Sequence, residues 1–203
     1  MKAKIIIIGN EILNGFTIDT NAHFLIKNLL KNDIIVDNVV FIKDEALTII
    51  DELNKSFHVD FVFLTGGLGP TNDDVTTNAL NTFFKNKKPK LLNNSVGTAP
   101  GLWFSKEGIN YFAFPGVPSE MKLMAFELFM NLFNNLNKKN SFLHVGTVGI
   151  RESKLLLVLK DFEKSLPKNC KMSYLPEIFI VKLRFHGVNT GDDVFIEIKK
   201  KLN

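Results

Sequence analysis

The chain has 203 residues, 45% of them apolar and 23% charged, with a formal net charge of +4. That length supports one sizeable core, or a domain with a smaller appendage, of ordinary globular composition. A single cysteine, Cys170, excludes an intramolecular disulfide framework and a cysteine-rich metal site; the four histidines (His23, His58, His144, His186) have no ligand-like spacing.

The charge is unevenly placed. Residues 1–140 balance 14 basic side chains against 14 acidic ones, whereas residues 141–203 carry 11 against 7, helped by Lys199-Lys-Lys201. A mild excess with a terminal lysine run reads as a solvated tail, so nucleic acid is not expected as a partner. Lys2-Ala-Lys-Ile-Ile-Ile-Ile8 has only four apolar residues in a row and no small-residue cleavage pattern, which makes it a first strand rather than a leader. No apolar run approaches the ~20 residues of a membrane span. A cytoplasmic protein without a membrane partner is expected.

In chain order, Ile5–Ile8 is an unbroken β-branched run that fits a strand buried on both faces. Gly9-Asn-Glu-Ile-Leu-Asn-Gly15 ends it in a turn. Ala22, Leu25, Ile26, Leu29 and Leu30 form a helical stripe, with Asp19, Thr20 or Asn21 available as a cap. A second strand spans Ile34–Ile42 and ends at Lys43-Asp44-Glu45. Ala46, Ile50, Leu53 and Phe57 define the next helix, Phe61–Leu64 the third strand, and Val75–Phe84 a third helix. Three strand–helix alternations with short connections predict parallel strands covered on both faces. Ligands of such sheets bind beyond the carboxyl ends of the strands, where Asn10 and Glu11, Asp44, and Thr65 to Asp74 should share one rim.

Further on, Lys85–Lys90 reads as a basic loop, and Ser105-Lys-Glu-Gly108 as a hairpin turn before Ile109–Phe114. Pro118 can open a long helix with the stripe Met121, Met124, Ala125, Leu128, Phe129 and Leu132. Asn134–Asn140 reads as a boundary, giving domains 1–138 and 141–203. The second domain should be a small α+β unit: strand Phe142–Val148, helix Glu152–Phe162, strands Lys171–Leu175 and Ile178–Phe185, helix Asp192–Leu202.

Thr65-Gly-Gly-Leu-Gly-Pro-Thr-Asn-Asp-Asp-Val-Thr76 is the most informative stretch. Three glycines after a strand expose backbone N–H groups, and a helix start favours an anion. Asp73 and Asp74 would repel a bare phosphate, but not one reached through a divalent cation. No Gly-Lys-Ser/Thr follows, so this is not a Walker loop, and the glycine spacing departs from the dinucleotide fingerprint. Taken singly, each feature has a plain structural reading. The glycines can be a turn, the paired acids helix N-terminal residues, Asp44 an N-cap, Asn10-Glu11 a turn, and Thr98–Gly101 and Pro115–Pro118 rigid corners. Their convergence on one rim favours a crevice.

Four ordered blocks then carry a family resemblance: Gly9–Gly15 with Asp19-Thr-Asn21, Thr65–Thr76, Val96-Gly-Thr-Ala-Pro-Gly101, and Phe114-Pro-Gly-Val-Pro-Ser-Glu120. They resemble the CinA (competence/damage-inducible protein A) family, whose first domain is similar to molybdopterin-binding domains of the MogA, MoaB and MoeA type. Thr147–Ser153 and Ser173-Tyr-Leu-Pro176 resemble that family's middle, KH-like domain. The resemblance implies a three-layer αβα domain with a mostly parallel sheet of the molybdopterin-binding type, then a small α+β domain. It implies metal-dependent hydrolysis of the diphosphate of ADP-ribose or a related nucleotide. The alternatives are adenylyl transfer to molybdopterin and nucleotide or pterin binding without turnover. By matched position, Asp44 and Asp74 would be the metal site, with Mg²⁺ or a transition metal, and Asp73 a further catalytic acid. Thr65 with Gly66, Gly67 and Gly69 would hold phosphate, and Asn10 and Glu11 would orient ligand or bound water. Gly97, Thr98, Pro100 and Gly101 would form one wall, and Ser119 and Glu120 an anion or ribose contact. Molybdopterin is not the expected cofactor, and a homodimer is expected.

The chain departs from the family pattern in places. The segment between Phe84 and Leu91 is short, Ser95 replaces a usual proline and Lys43 a frequent glycine. The C-terminal amidohydrolase domain of full-length relatives has no counterpart, so activity on nicotinamide mononucleotide is not expected here. Gly146-Thr-Val-Gly149 spells the KH loop but at a strand end, which argues against RNA binding.

Overall fold

β-branched residues nucleate the first strand, β1 (Lys2–Ile8), of the computed structural model. The structure describes residues 1–69, 74–133, 143–168, 170–177, 180–186, 196 and 200. The chain divides into two units, Met1–Leu136 and Asn137–Asn203.

After β1 come a single helical turn α1 (Asn10–Leu13), α2 (Asn21–Lys31), β2 (Ile35–Ile42), α3 (Ala46–Asn54), β3 (Phe61–Thr65) and α4 (Val75–Phe83). The first unit ends with β4 (Lys90–Leu92), β5 (Gly101–Lys106), β6 (Ile109–Phe114) and α5 (Pro118–Phe133). The six strands form one sheet in the order β2-β1-β3-β6-β5-β4. β1 pairs in parallel with both β2 and β3, and β3 with β6, whereas β5 and β4 add an antiparallel edge.

Alternation along the strands builds two cores. Ile5, Ile7, Phe61, Phe63, Phe112 and Phe114 face one side with α2 and α5; Ile6, Ile8, Val62, Leu64, Tyr111 and Ala113 face the other with α3 and α4. The expected three-layer αβα architecture is therefore present. Burial of each phenylalanine contributes roughly 1.5–3 kcal/mol. Phe63 stacks on Phe112 with centroids 5.2 Å apart and meets Phe129 edge-on at 5.8 Å. The exception to the apolar run is Lys4, which is 1% exposed. Its Nζ lies 2.7 Å from Glu52 Oε2 and 2.9 Å from the Glu52 carbonyl oxygen, so the charge is paired where it is desolvated.

Several expectations need correction. The helix over Ala46 ends at Asn54, and Phe57 lies beyond it, 81% exposed. Ser56 Oγ instead donates to the Glu52 carbonyl and closes the helix end, while Ile49 and Leu53 are the residues that α3 buries. Leu91 and Leu92, after the basic loop, join edge strand β4, and the Gly9–Gly15 turn contains α1.

The second unit holds β7 (Leu143–Val148), α6 (Glu152–Ser165), β8 (Lys171–Glu177) and β9 (Ile180–His186), with an antiparallel sheet ordered β7-β9-β8. Its core gathers Leu155, Leu159, Cys170, Val181, Leu183 and Phe185. Gly146 lies on β7 and Gly149 follows it directly. The helix expected over Asp192–Leu202 falls largely outside the described residues, of which Ile196 and Lys200 are helical. The segment 134–140, read as a boundary, also lies outside them.

Candidate functional site

The sheet order places β2 on one side of β1 and β3 on the other, so the chain reverses direction across the sheet at the β1/β3 junction. In α/β sheets the carboxyl ends at such a switch point leave a crevice. Ile8, Ile42, Thr65 and Phe114 end four parallel strands on this rim.

The glycine turn is pinned on three sides. Gly66 N–H donates to the Phe114 carbonyl (3.3 Å), Thr76 Oγ1 donates to the Gly66 carbonyl (3.0 Å), and Thr76 N–H to the Gly67 carbonyl (3.3 Å). Gly66 has φ of +105°, and a Cβ there would overlap the Ile8 carbonyl oxygen; Gly67 has φ of +59°. The glycines are thus required both by left-handed backbone and by the close approach of β1. Gly66 is not available as a phosphate donor, contrary to expectation, because its N–H is used by the sheet. Among the described residues none accepts a hydrogen bond from the N–H of Gly67, Leu68 or Gly69.

Three carboxylates lie against this rim. A Cβ on Gly67 would stand 2.7 Å from Asp44 Oδ1, and one on Gly69 would stand 2.7 and 2.8 Å from the two Asp74 oxygens. Glu11 folds back over Gly9 in the same way, with Oε1 2.6 Å from that glycine's Cβ position. Asp74 occupies the N-cap position of α4, yet its side chain does not cap that helix. Asp44 Oδ1 is buried without a hydrogen-bond partner among the described residues. Burial, first, and then the carboxylates of Glu11 and Asp74 raise its pKa above the ordinary aspartate value. The structure therefore brings Glu11, Asp44 and Asp74 into electrostatic contact around the turn. Asn10 Oδ1 accepts the Asp44 N–H at 3.4 Å, which makes Asn10 a brace for that loop. Asp73 lies outside the described residues.

Other expected residues fall elsewhere. Thr65 is 1% exposed; its Oγ1 donates to the Pro115 carbonyl (2.9 Å) and accepts from Asn21 Nδ2 (3.0 Å). Burial thus removes the side chain from ligand contact and makes it a tie between turn and Pro115 loop. Gly101 begins β5, and a Cβ there would meet Met124 Cε at 2.7 Å, so it serves packing under α5 rather than a crevice wall. Gly97 backs onto Glu120, while Thr98 and Pro100 are exposed. Glu120 Oε2 accepts from Asn94 Nδ2 at 2.6 Å, which ties this carboxylate to the 93–101 loop. Ser119 is exposed in the first turn of α5.

Two residues escaped the sequence reading. Asn94 donates to the Ala99 carbonyl (2.8 Å) and accepts from Gly97 N–H (3.0 Å) and Val96 N–H (3.3 Å), so one side chain shapes the whole loop. Asn21 is buried, with Nδ2 also donating to the Gly116 carbonyl at 2.9 Å and Oδ1 without a partner among the described residues. Its signals in the sequence were its place at a helix start and in the Asp19-Thr-Asn21 block, neither of which shows the Thr65 and Gly116 contacts.

Comparison with known proteins follows the same outline. Residues 4–135 match the family model described as "Probable molybdopterin binding domain". A CinA-like protein of Flavobacterium psychrophilum is 34% identical over 233 residues, covering 96% of this chain and 56% of the relative. The chain belongs to the molybdopterin-binding-domain family and is similar to CinA-like proteins. Another CinA-like relative, from Cytophaga hutchinsonii, is 34% identical over 229 residues, 95% of this chain and 54% of its own. This chain thus spans about half the length of the curated relatives it matches. The alignment with the Flavobacterium relative spans 233 positions against the 203 residues of this chain, so that relative holds at least thirty residues without a counterpart here. The crystal structure of CinA from Thermoplasma acidophilum superposes with TM-score 0.60 at 27% identity, over 64% of this chain and 96% of that one. MoaB, a molybdopterin biosynthesis enzyme from Thermus thermophilus, gives 0.55 at 15% identity over 66% and 93%, a likeness of fold.

Proposed function

We propose that the first unit hydrolyses the diphosphate of ADP-ribose or a closely related nucleotide, with a divalent cation. The observation that carries this reading is Asp44: a carboxylate with a buried oxygen that has no partner among the described residues, pressed by two further carboxylates, against a glycine turn. Such an arrangement is unfavourable unless a positive charge completes it.

Among the described residues no group of three His, Cys, Asp or Glu side chains converges to cage a metal. That fits a hard cation such as Mg²⁺, which takes one or two carboxylates and relies on ligand phosphates and water for the rest. Asp44 and Asp74 would hold it, and when bound it would withdraw charge from the phosphoryl oxygens and acidify a water. The N–H groups of Gly67, Leu68 and Gly69, which no described residue accepts, would stabilise charge on the phosphate oxygens. Glu11, exposed on α1 beside Asp44, would accept the proton of the attacking water. Water adds to one phosphorus, the bridging P–O bond breaks, and AMP and ribose 5-phosphate leave.

A second reading is pterin binding with adenylyl transfer, of which the family model's description bears on the pterin binding alone. Incubating the protein with ADP-ribose and Mg²⁺, without pterin, separates the two. AMP release that stops on chelation is expected; AMP formation from ATP only when molybdopterin is added would replace hydrolysis with transfer. The second unit is proposed to share the family's KH-like build, with no activity assigned.

A further inference from the structure

A hollow of about 520 Å³ lies on the same rim, lined by Ile12, Leu13, Thr17, Asp19 and Phe41. No part of the proposed hydrolysis uses it. We propose that it seats the planar ring of the nucleotide whose phosphate lies against the glycine turn, a proposal that rests on the nucleotide reading above.

Register supplies the distance. Ile7 of β1 pairs with Phe41 of β2 on one side and with Thr65 of β3 on the other. Phe41, Ile7 and Thr65 therefore stand in one row across the sheet, and two interstrand spacings put Phe41 about 10 Å from the residue that opens the turn. A ribose spans a gap of that order between a phosphate and its base. The two subsites also share a support, since Glu11 belongs to the same helical turn as Ile12 and Leu13. The Glu11 carbonyl accepts from both Phe16 N–H (2.9 Å) and Thr17 N–H (3.1 Å), which folds the loop back beside α1.

The composition suits a ring. Ile12, Leu13 and Phe41 give apolar contact, and Thr17 and Asp19 give polar groups at the margin, as in pockets that hold flat ligands. The Asp19 carboxylate is already committed to Asn21 N–H (3.2 Å) and Ala22 N–H (3.0 Å), so Thr17 is the group left to read the ring edge. The hollow is exposed at some hydrophobic cost: Leu13 and Phe41 are each 45% accessible. An aromatic face beside a phosphate site is what base stacking requires.

AMP and ribose 5-phosphate differ by the ring alone, so calorimetric titration of both into the protein with Mg²⁺ reads the subsite. AMP is expected to bind about tenfold more tightly, with the ratio falling below about threefold in Phe41→Ala and in Leu13→Ser. Circular dichroism and sedimentation of each variant accompany the titrations; the two variants act through different elements, so unfolding of one leaves the other decisive. Equal affinities for the two ligands in the native protein, or a ratio unchanged in a folded variant, would overturn the ring seat. A change from dimer to monomer in Phe41→Ala at constant ratio would overturn it as well, assigning the face to a second copy. If neither ligand binds, the nucleotide reading itself fails and the seat with it. If ribose 5-phosphate binds and Asp44→Asn weakens it, a missing AMP advantage counts against the seat alone.

Discussion

Gly66→Ala measures how tightly the turn is held against β1. Its φ of +105° costs an alanine about 1–2 kcal/mol. The added Cβ would overlap the Ile8 carbonyl oxygen and stand 2.9 Å from its carbon. Both atoms are backbone, so no side-chain rotation relieves the contact; the ends of β1 and β3 must part, at roughly the 1–3 kcal/mol of an overpacked core. The total, about 2–5 kcal/mol, is a large share of the 5–15 kcal/mol by which domains are stable. Gly108→Ala is the control: φ of +82° and nothing within 4 Å of the Cβ position, hence the backbone cost alone. Denaturant unfolding followed by Trp103 reports the first unit, because that indole packs on Phe112 at 5.4 Å. Gly66→Ala should lose at least about 1 kcal/mol more than Gly108→Ala. Equal losses would refute the close approach of turn and strand.

Three further outcomes follow from the same geometry. Asp44 has a raised pKa, so the stability tied to its proton is complete below pH 3.8 and disappears as pH rises through the folded-state value. Asp44→Asn should therefore be at least as stable as the native protein at pH 7 without metal, and should lose any rise in Tm with Mg²⁺ that the proposed site predicts for the native chain; thermal melts in chelator and in Mg²⁺ check both. Burial alone would raise the Glu52 pKa, but hydrogen bonds from Lys4 and then Lys55 hold it below 4.5, so that pair stabilises above pH 4.5 and is lost as pH falls through the folded value. Lys4→Met should flatten the acid limb of the stability profile, read by urea unfolding from pH 3 to 7. Asn94→Ala removes four hydrogen bonds and should cost about 1–3 kcal/mol by the same unfolding assay, with faster hydrogen exchange at Val96 and Gly97.

The sheet was legible because its strands are written in side-chain type. Ile5–Ile8 and Phe61–Leu64 have no polar interruption, and only strands covered on both faces allow that. The rim was legible for a topological reason, since parallel strands deliver their carboxyl ends to one side. What the sequence hid were long-range commitments of polar groups. Thr65 and Gly66 were read as ligand contacts because they sit in the motif, but partners 48 to 50 residues away use them: the Phe114 carbonyl takes the Gly66 N–H and the Pro115 carbonyl the Thr65 hydroxyl. Phe57 kept the helical period, yet the backbone turned away after Asn54, and periodicity carries no information about where a helix ends. Asp44 was placed by the family pattern; its orphaned oxygen became visible only once Gly67 and β2 had been brought together.

If the rim is a cation-assisted diphosphate site, Asp44 is the residue on which it depends. Its most direct test is AMP release from ADP-ribose by the native protein and by Asp44→Asn, each with Mg²⁺ and with chelator. Release is expected from the native protein only with Mg²⁺, with a loss of at least about a hundredfold in the folded variant, as for removal of a principal charge-stabilising group. Undiminished release by Asp44→Asn, or native release that persists in chelator, would contradict it.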